Sequence, residues 1–415
     1  MKIAIIGFGA AAIGFIEKLK DSNHEICIYE KSKDIYSSSI SGIRADGKLF
    51  ISNEMGGELN VDLDLQKQLV DFYISQTDKH ETGKSFRNPE YYHKFYEKGF
   101  LPVVSDFYHI GTDQLKQVLY NIYESYRSRK NITFKFSSTV TDIEVLANKV
   151  ILNGCDTFDK VVVAVGRSGH KLVNNILKKF PKLILNNKKL DLGIRYEVPN
   201  HIVHELNEEM YEFKVKYKTQ TGYMVRTFCN NPSGFVVTEN YDDFVTVNGH
   251  AKLKEKSKNT NFAILTTMEL TQPFNDPIGY GSHIAQLTNI LAGENKVILQ
   301  TYDNFRKAKR TKHLYRVKPT LDENKYILGD INLAFPRRII NSIIDFLENL
   351  NEVIPGITAG DNLVYAPEIK FYSNIINNEL SENIKFIGDC SGHTRSIIYA
   401  SAHGWMMGEE ITVNN

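Results

Sequence analysis

Tryptophan, cysteine and long apolar stretches are scarce in this chain of 415 residues, which has one tryptophan and four cysteines. The cysteines, Cys27, Cys155, Cys229 and Cys390, lie far apart and form no CxxC pair. This spacing argues against a zinc site and against a redox-active disulfide. The 50 lysines and arginines almost balance the 49 aspartates and glutamates, so nothing in the charge indicates binding to nucleic acid or to an acidic membrane.

The apolar segments are too short to predict a membrane span, which needs roughly 18 apolar residues. The apolar run at the N-terminus is short and interrupted by two glycines, unlike a signal peptide. Reduced thiols in a cytoplasmic protein are the simplest interpretation of the cysteines. The length predicts two or three structural units, each large enough for its own core.

The first thirty residues predict a strand, a tight turn, a helix and a second strand. The strand Lys2–Ile6 is followed by Gly7 and Gly9, and a second apolar run, Ile26–Tyr29, ends at Glu30. With an acidic residue about twenty positions after the glycines, this order matches the dinucleotide-binding fingerprint. The alternative is an ordinary strand–helix–strand unit that binds no nucleotide.

Each residue of the fingerprint has a mechanical reason. Gly7 permits the sharp turn, Gly9 lets the backbone approach a pyrophosphate, and Ala12 is small enough for close helix packing. The N–H groups at the start of the helix, together with its dipole, favour phosphate. Glu30 would accept hydrogen bonds from ribose hydroxyls, which favours FAD or NAD over NADP.

The rest of the chain divides by composition. A loop rich in Ser and Gly follows Glu30 and includes Lys48 and the pair Gly56–Gly57; it is either a solvated loop or a segment that passes along a cofactor. Residues 76–104 show no clear pattern. Helices are expected at 61–75, 113–128, 281–291, 302–310 and 336–350, and strands at 132–138, 140–144, 149–152 and 159–165.

Residues 193 to about 310 consist of short runs rich in Val, Thr, Tyr and Phe separated by turn residues, which predicts an antiparallel β region. The chain then returns to α/β character with a strand at 384–387, the pair Gly388–Asp389 and an amphipathic helix. We therefore predict a discontinuous α/β domain, residues 1–192 and 355–415, and an inserted β-rich α+β domain, residues 193–354.

These motifs resemble flavoproteins with a glutathione-reductase-type (Rossmann-like) FAD-binding fold. Among them, the bacterial and archaeal NAD(FAD)-utilising, FAD-dependent dehydrogenases are the more similar family. The resemblance covers nearly the whole chain and is carried by GFGAAAIGFIEKL, DGKL, DLGIRYEVP, VRTFC, VNGH, TNFA, APEIKFY and GDCSGHTRSIIYASAHG. One departure is that Cys229 is followed by Asn-Asn-Pro-Ser-Gly, where family members often have a second cysteine, so chemistry based on paired cysteines is in doubt.

The resemblance implies that one FAD is bound by both ends of the chain. The glycine segment would hold the pyrophosphate, Glu30 the ribose, Val140 the adenine and Asp389 the ribityl or pyrophosphate part, with the last helix start at the flavin ring. A helix N-terminus there would stabilise negative charge on reduced flavin. The implied FAD-binding residues are Gly7, Gly9, Ala10, Ala11, Ala12, Glu30, Lys31, Lys48, Val140, Gly166, Gly388, Asp389, Arg395, Ser396, Ile397 and Ile398.

Candidates for chemistry follow the C-terminal Gly–Asp pair. A proton donor or substrate anchor would come from His393, Arg395, Tyr399 or Lys48, the alternative being a polar stripe of the helix. His403 lies ten residues after His393, which the helical rise places too far away for one site. From the β region, Arg195, Arg226 and His250 are candidates for binding a substrate carboxylate or phosphate, although an exposed surface position explains each arginine alone better.

The sequence therefore predicts an FAD-dependent oxidoreductase that exchanges hydride between flavin N5 and a small-molecule substrate. No second glycine fingerprint occurs in residues 193–354, so the flavin would be reduced by the substrate, by transiently bound NAD(P)H or by an electron-donor protein. One alternative is flavin oxygen chemistry of the monooxygenase type; halogenase motifs are missing, and Trp405 is the single tryptophan. Another is a non-catalytic FAD-binding protein that senses redox state.

Overall fold

The computed structural model describes residues 1–36, 47–84, 88–110, 112–166, 169–185, 188–210, 213–241, 243–250, 255–274, 276–293, 295–372 and 374–413. Arg44 and Asp46 of the Ser/Gly-rich loop lie outside the described residues. The strands, in chain order, are β1 (Lys2–Ile6), β2 (Glu25–Tyr29), β3 (Lys48–Ile51), β4 (Glu81–Lys84), β5 (Phe100–Pro102), β6 (Asp106–His109), β7 (Ile132–Lys135), β8 (Ile143–Leu146), β9 (Lys149–Leu152), β10 (Asp156–Phe158), β11 (Lys160–Val163), β12 (Ile184–Leu185), β13 (Lys189–Pro199), β14 (Val215–Lys218), β15 (Met224–Asn231), β16 (Phe235–Asn240), β17 (Val245–His250), β18 (Asn259–Glu269), β19 (Val297–Thr301), β20 (Tyr326–Leu328), β21 (Leu363–Phe371), β22 (Ile375–Ile376) and β23 (Ile384–Phe386). The α-helices are α1 (Ala10–Leu19), α2 (Leu63–Ile74), α3 (Pro89–Glu97), α4 (Thr112–Arg127), α5 (His170–Lys179), α6 (His204–Glu209), α7 (Pro277–Ala292), α8 (Tyr302–Arg306), α9 (Arg337–Leu350) and α10 (Ile397–Val413).

The chain forms two compact units, each with its own core. Unit 1 consists of Met1–Gly83, Ser105–Asn187 and Ser373–Asn415, and unit 2 of Lys84–Val104 and Lys188–Tyr372. These bounds differ from those expected from the sequence, because β21 pairs with β13 and β19 inside the unit 2 sheet. Among the described residues, no helix is both long and apolar enough to cross a lipid bilayer.

Unit 1 is built on a five-stranded parallel sheet in the order β23-β11-β1-β2-β7. The short apolar runs predicted as strands form its centre, and Ile3, Ile5 and Val162 are completely buried. Parallel strands buried on both faces read as continuous apolar runs, which explains why β1, β2 and β11 were visible in the sequence. The mixed α/β class predicted for the chain is confirmed for this unit.

Helices α1 and α10 of unit 1 approach each other through glycines. A Cβ added at Gly14 would lie 1.9 Å from the carbonyl oxygen of Ser401, and one at Gly404 would lie 1.9 Å from that of Ala11. The Ser401 hydroxyl also donates to the carbonyl of Ala10 at 3.0 Å. The N-terminal fingerprint helix therefore packs directly on the C-terminal helix, with backbone against backbone.

Unit 2 is built on an eight-stranded sheet in the order β20-β19-β21-β13-β18-β15-β14-β5, antiparallel except for the parallel pair β19 and β20. Side chains of a strand alternate between the two faces of its sheet. On β13, Leu190, Leu192, Ile194 and Tyr196 belong to an apolar core that also contains much of α9. The intervening Asp191 and Arg195 therefore lie on the opposite face, which is polar.

Candidate functional site

The glycine segment between β1 and α1 has the tight geometry that its sequence predicts. Gly7 has φ +93°, and a Cβ there would lie 2.8 Å from the carbonyl oxygen of Ala164, so a side chain would be both strained and obstructed. The first helical hydrogen bond of α1 runs from the N–H of Ile13 to the carbonyl of Gly9, at 2.9 Å. The N–H groups of residues 10–12 precede this bond and form a helix N-terminus of the kind that binds phosphate.

Glu30 is buried at the end of β2 and is held by backbone and side-chain donors. Its Oε2 accepts a hydrogen bond from the N–H of Phe8 at 3.0 Å. Its Oε1 accepts from the N–H of Ser32 at 2.9 Å and from the Ser32 hydroxyl at 2.7 Å. A carboxylate has about four acceptor positions, so these three bonds fix the group and leave room for one further donor.

A cavity of about 290 Å³ lies beside this carboxylate, within unit 1, close to the smallest volumes typical of ligand pockets. Gly7, Glu30, Lys31 and Val140, all predicted for FAD, line it. Val140 could contact an adenine ring and Glu30 could accept a hydrogen bond from a ribose, so the residues of this cavity fit the adenosine part of FAD. The lining that the sequence did not indicate is Ile6, Phe8, Tyr29, Ser138, Thr139, Thr141, Ala164, Val165, Gly169, Lys171, Leu172 and Asn175.

Several of these additional residues could have been found from the sequence. Ser138 and Thr139 follow β7, and Ala164 and Val165 follow β11, just as Glu30 follows β2. Ligands of open α/β sheets bind at the carboxyl ends of the strands, which is where these residues lie. Gly166, predicted to close over the cofactor, has φ +59° immediately after Val165.

The Gly388–Asp389 turn lies against the fingerprint helix. Gly388 has φ +71°, and a Cβ there would be 2.7 Å from the Cβ of Ala11. The Asp389 carboxylate is partly exposed and accepts a hydrogen bond from the Thr394 hydroxyl at 3.0 Å. The structure therefore brings together the two chain ends that the sequence assigned to one FAD.

The pair Gly56–Gly57 packs on the segment that precedes α10. The N–H of Arg395 donates to the carbonyl of Gly56 at 2.7 Å, and the N–H of Glu58 donates to the carbonyl of His393 at 3.0 Å. A Cβ at Gly57 would lie 2.2 Å from that His393 oxygen. At Gly56, which has φ +117°, a Cβ would lie 2.5 Å from the ring of Tyr399, so both positions require glycine.

The start of α10 differs in detail from the prediction. The N–H of Arg395 is already used by Gly56, and its guanidinium lies 3.5 Å from Glu58. Ser396 caps the helix, since its hydroxyl accepts from the N–H of Tyr399 at 3.2 Å and its carbonyl from the N–H of Ala400 at 2.9 Å. The N–H groups at 397 and 398 precede the first helical bond, whereas the N–H of Arg395 is already bonded.

The structure gives Tyr399, predicted as a proton donor, a buried structural contact. Its side chain is completely buried, and its hydroxyl donates to the carbonyl of Ser52 at 3.0 Å. Burial also raises its pKa above the ordinary value, which opposes ionisation. Tyr399 therefore anchors α10 to the segment after β3.

His393 and His403 lie closer together than helical spacing predicts, with ring centres 5.7 Å apart in an edge-to-face arrangement. The reason is that His393 precedes α10 and its segment folds back on the helix. His403 is buried, and its Nδ1 accepts from the N–H of Gly388 at 3.2 Å. Burial and the neighbouring His393 lower the pKa of His403 to about 3, so it is neutral and holds the Gly388 turn.

Arg195, predicted to bind a substrate, is instead a saturated structural residue of unit 2. It is completely buried and forms a bidentate ion pair with Glu368, in which Nε donates to Oε2 at 3.0 Å and Nη2 donates to Oε1 at 2.9 Å. Its remaining N–H groups donate to the carbonyl of Cys229 and to the side chains of Asn261 and Asn248. All five N–H groups of the guanidinium are used, and none is left for a substrate.

The other predicted residues have varied surroundings. Arg226, on β15, pairs with Asp191 and remains partly exposed. His250 ends β17, opposite Phe235, with an exposed side chain. Lys48 begins β3, opposite His109, and is half-buried. Their roles remain predictions.

The cysteines and acidic residues give no indication of other redox or metal centres. All four cysteines are free thiols, and burial raises the pKa of Cys390 to about 12, so this thiol is unreactive at neutral pH. Across the part of the chain that the structure describes, no group of three or more His, Cys, Asp or Glu residues could hold a metal ion.

Solved structures similar to the chain share little sequence with it. 2,6-Dihydroxypyridine-3-hydroxylase from Arthrobacter nicotinovorans has a TM-score of 0.41 and 9% identity, and the match covers 100% of this chain and 84% of the hydroxylase. CtdE in complex with FAD and substrate has a TM-score of 0.38 and 10% identity, and the match covers 100% of this chain and 80% of CtdE. 2-Methyl-3-hydroxypyridine-5-carboxylic acid oxygenase has a TM-score of 0.38 and 9% identity, and the match covers 100% of this chain and 83% of the oxygenase. Such values are too low to transfer a function.

The comparison with protein families gives a more direct result. No curated protein matches the chain. Residues 190–370, which form most of unit 2, match the model of a family described as "FAD-dependent protein, C-terminal domain-like". The match supports FAD, predicted from the fingerprint of unit 1, as the cofactor of this chain.

Proposed function

We propose that this chain is an FAD-dependent oxidoreductase. The observation that carries the proposal is the arrangement around the unit 1 cavity, where the buried Glu30 carboxylate and the glycine segment lie side by side. The Gly388–Asp389 turn packs on the same helix. The family match of residues 190–370 independently supports the cofactor.

In this proposal FAD is bound by two segments that are distant in sequence, one around the glycine segment and one around the Gly388–Asp389 turn. The N–H groups at the start of α1 bind the pyrophosphate, the carboxylate of Glu30 accepts a ribose hydroxyl, and Val140 contacts adenine. Asp389 binds the ribityl or pyrophosphate part. The helix start at 397 and 398 favours negative charge at the flavin ring, with Arg395 and His393 the nearest ionisable candidates in sequence.

Of the two kinds of flavin chemistry, we favour oxygen chemistry over hydride exchange between flavin and substrate. All four cysteines are free thiols, and residues 193–354 carry no second glycine fingerprint, so neither a redox-active disulfide nor a dedicated nicotinamide domain is indicated. FAD held at this site would supply the redox chemistry for an overall reaction in which NAD(P)H, a proton, O₂ and the substrate give NAD(P)⁺, water and a substrate with one added oxygen atom. The hydroxylase and the oxygenase described above are oxygen-using by name, but that likeness is too low to support the choice.

The first test is the cofactor. Purified protein should be yellow, release FAD on denaturation and lose its visible absorption with dithionite. Colourless protein that takes up no added FAD would contradict the proposal.

The second test separates the two kinds of chemistry. Protein reduced by NADPH or NADH without oxygen is mixed with aerated buffer, and the flavin absorption is followed. Oxygen chemistry predicts rapid reoxidation and continuous O₂ consumption while NAD(P)H is present. A reduced flavin that persists in air would instead favour the dehydrogenase type, as the resemblance to FAD-dependent dehydrogenases implies.

A further inference from the structure

The polar face of the unit 2 sheet carries an aromatic ring surrounded by cations. The guanidinium carbon of Arg226 lies 4.9 Å from the ring centre of Phe228. Lys370 approaches the same ring with its Nζ at 5.3 Å, and the Nζ of Lys214 is 5.9 Å away. Cations within about 6 Å of a ring centre are attracted to its face, but several cations at one ring also repel each other.

The nearby carboxylates only partly compensate these charges. Asp191 pairs with Arg226. Glu368 is shared, since one of its oxygens lies 2.9 Å from Arg195 and 3.4 Å from Lys370. Among the residues that the structure describes, Arg195, Arg226 and Lys370 therefore face two carboxylates, so this group carries an excess of positive charge in a largely buried environment. An additional anion would be stabilised there.

The two arginines of this face differ in how their donors are used. Arg195 is completely buried with every N–H bonded, whereas the partners of Arg226 among the described residues, Asp191 and Tyr372, both lie at its Nη2. The Nε and Nη1 donors of Arg226 have no such partner. Its side chain is 15% exposed and that of Lys370 is 24% exposed. Both cations can therefore be reached by a small ligand, which Arg195 cannot.

We propose that Arg226 and Lys370 bind the carboxylate of a small organic acid whose apolar body rests on Phe228. That this acid is the substrate rests on the function proposed above. The apolar surface for that body is the ring of Phe228, which is partly exposed; Leu265 and Ala263, opposite Arg226 and Phe228 in the strand register, are completely buried and keep the surrounding layer of the sheet apolar. Cations beside a partly exposed aromatic ring suit a carboxylate on a ring or chain better than a fully hydrated inorganic anion.

A purely structural role for these cations is the competing explanation. It accounts for the pair of Arg226 and Asp191, but not for the unused donors of Arg226 or for Lys370, whose partner Glu368 is already satisfied by Arg195. Removing Lys370 therefore leaves no carboxylate unpaired. Lys370→Gln is accordingly the variant that tests binding with least risk to folding.

The experiment compares benzoate with its neutral analogue benzamide, by calorimetric titration of the FAD-loaded protein. Benzoate should bind at least about tenfold more tightly than benzamide, since a hydrogen bond to a charged group contributes this much. Lys370→Gln should raise the Kd for benzoate about tenfold. Lys18→Gln is the matched control, because Lys18 also lies over a ring, 5.1 Å from that of Trp405, and pairs with Glu409; it should leave the Kd unchanged.

Phe228→Leu and Arg226→Gln extend the test. Phe228→Leu keeps the charges and should weaken benzoate but not inorganic phosphate. Arg226→Gln should abolish the preference for benzoate over benzamide; Arg338→Gln, which removes an arginine 4.1 Å from the ring of Tyr223, is its control. Equal binding of benzoate and benzamide by wild type, or unchanged benzoate binding by Lys370→Gln, would overturn the inference. Phosphate that binds as tightly as benzoate would also overturn it, because Phe228 would then contribute nothing.

The two proposals fail in different ways. Protein that holds FAD and oxidises NAD(P)H but does not prefer benzoate retains the proposed function and loses the anion site. Colourless protein that still prefers benzoate retains the site and loses the proposed function. FAD content and NAD(P)H oxidation are therefore measured on the same samples.

Discussion

The carboxylate of Glu30 accepts a hydrogen bond from the backbone N–H of Phe8, at 3.0 Å. This bond joins the end of β2 to the middle of the glycine segment. The acidic residue therefore positions the segment that would meet a pyrophosphate, in addition to facing the cavity itself. Both functions depend on a charged oxygen, since every donor around it is an N–H or O–H group.

Glu30→Gln should weaken FAD binding by about tenfold or more. The amide keeps one oxygen but turns an NH₂ group toward donors, which costs about 1–3 kcal/mol. Quenching of FAD fluorescence on binding to the apoprotein measures the Kd. Glu25→Gln, at the exposed start of the same strand, is the control and should bind FAD like wild type. Equal affinity of both variants would exclude a role for Glu30.

Gly404→Ala should destabilise unit 1 by about 2 kcal/mol or more. The new methyl group would sit 1.9 Å from the carbonyl oxygen of Ala11, so α1 and α10 would have to separate. Gly408→Ala is the matched change on the same helix, because its methyl group would lie 3.1 Å from the Cβ of Lys18 and 3.3 Å from the carbonyl oxygen of Phe15, a far milder approach than 1.9 Å. Urea denaturation should show a loss for Gly408→Ala that is at most about half as large.

His403 should make the protein less stable as the pH falls below about 6. Its folded pKa of about 3 lies below the ordinary value of 6.5, so in this window only the unfolded chain binds the proton. The free energy of unfolding then falls by up to about 1.4 kcal/mol per pH unit from this one group. His403→Asn retains an acceptor for Gly388 and should remove this part of the slope. Parallel pH profiles for variant and wild type would contradict the assignment.

Tyr399→Phe should leave turnover and its pH profile unchanged. The substitution removes one buried hydrogen bond, to Ser52, and should cost about 1 kcal/mol of stability. Thermal unfolding measures the stability, and NAD(P)H oxidation as a function of pH measures the activity. A displaced alkaline limb of the profile would instead support Tyr399 as a proton donor.

The parts of the fold that could be predicted are those set by nearby residues. The order β1, α1, β2 and Glu30 lies within thirty residues and follows from apolar periodicity and glycine. Helix α3 was missed although its start is visible in the sequence, since Asn88 precedes Pro89 and its side chain accepts from the N–H of Glu90 at 2.9 Å. The polar, tyrosine-rich sequence around this cap concealed it.

The burial and the hydrogen-bond partners of individual side chains could not be predicted, because they depend on residues that are distant in sequence. Arg195 and Arg226 look alike in the sequence, yet Arg195 is neutralised by Glu368, which is 173 residues further along the chain. The proximity of His393 to His403 likewise depends on how the turn before α10 folds back. The boundary at 354 differs from the structure because β21 joins a sheet whose neighbours, β13 and β19, come from separate parts of the sequence.

The contact of α1 with α10 has a consequence for biosynthesis. In translation the glycine segment is made long before the Gly388 turn and α10, so a nascent chain exposes the apolar side of α1 until α10 has been made. Such a surface is a natural binding site for chaperones. Loading of FAD at the glycine segment would therefore follow synthesis of α10, because the two helices pack backbone against backbone.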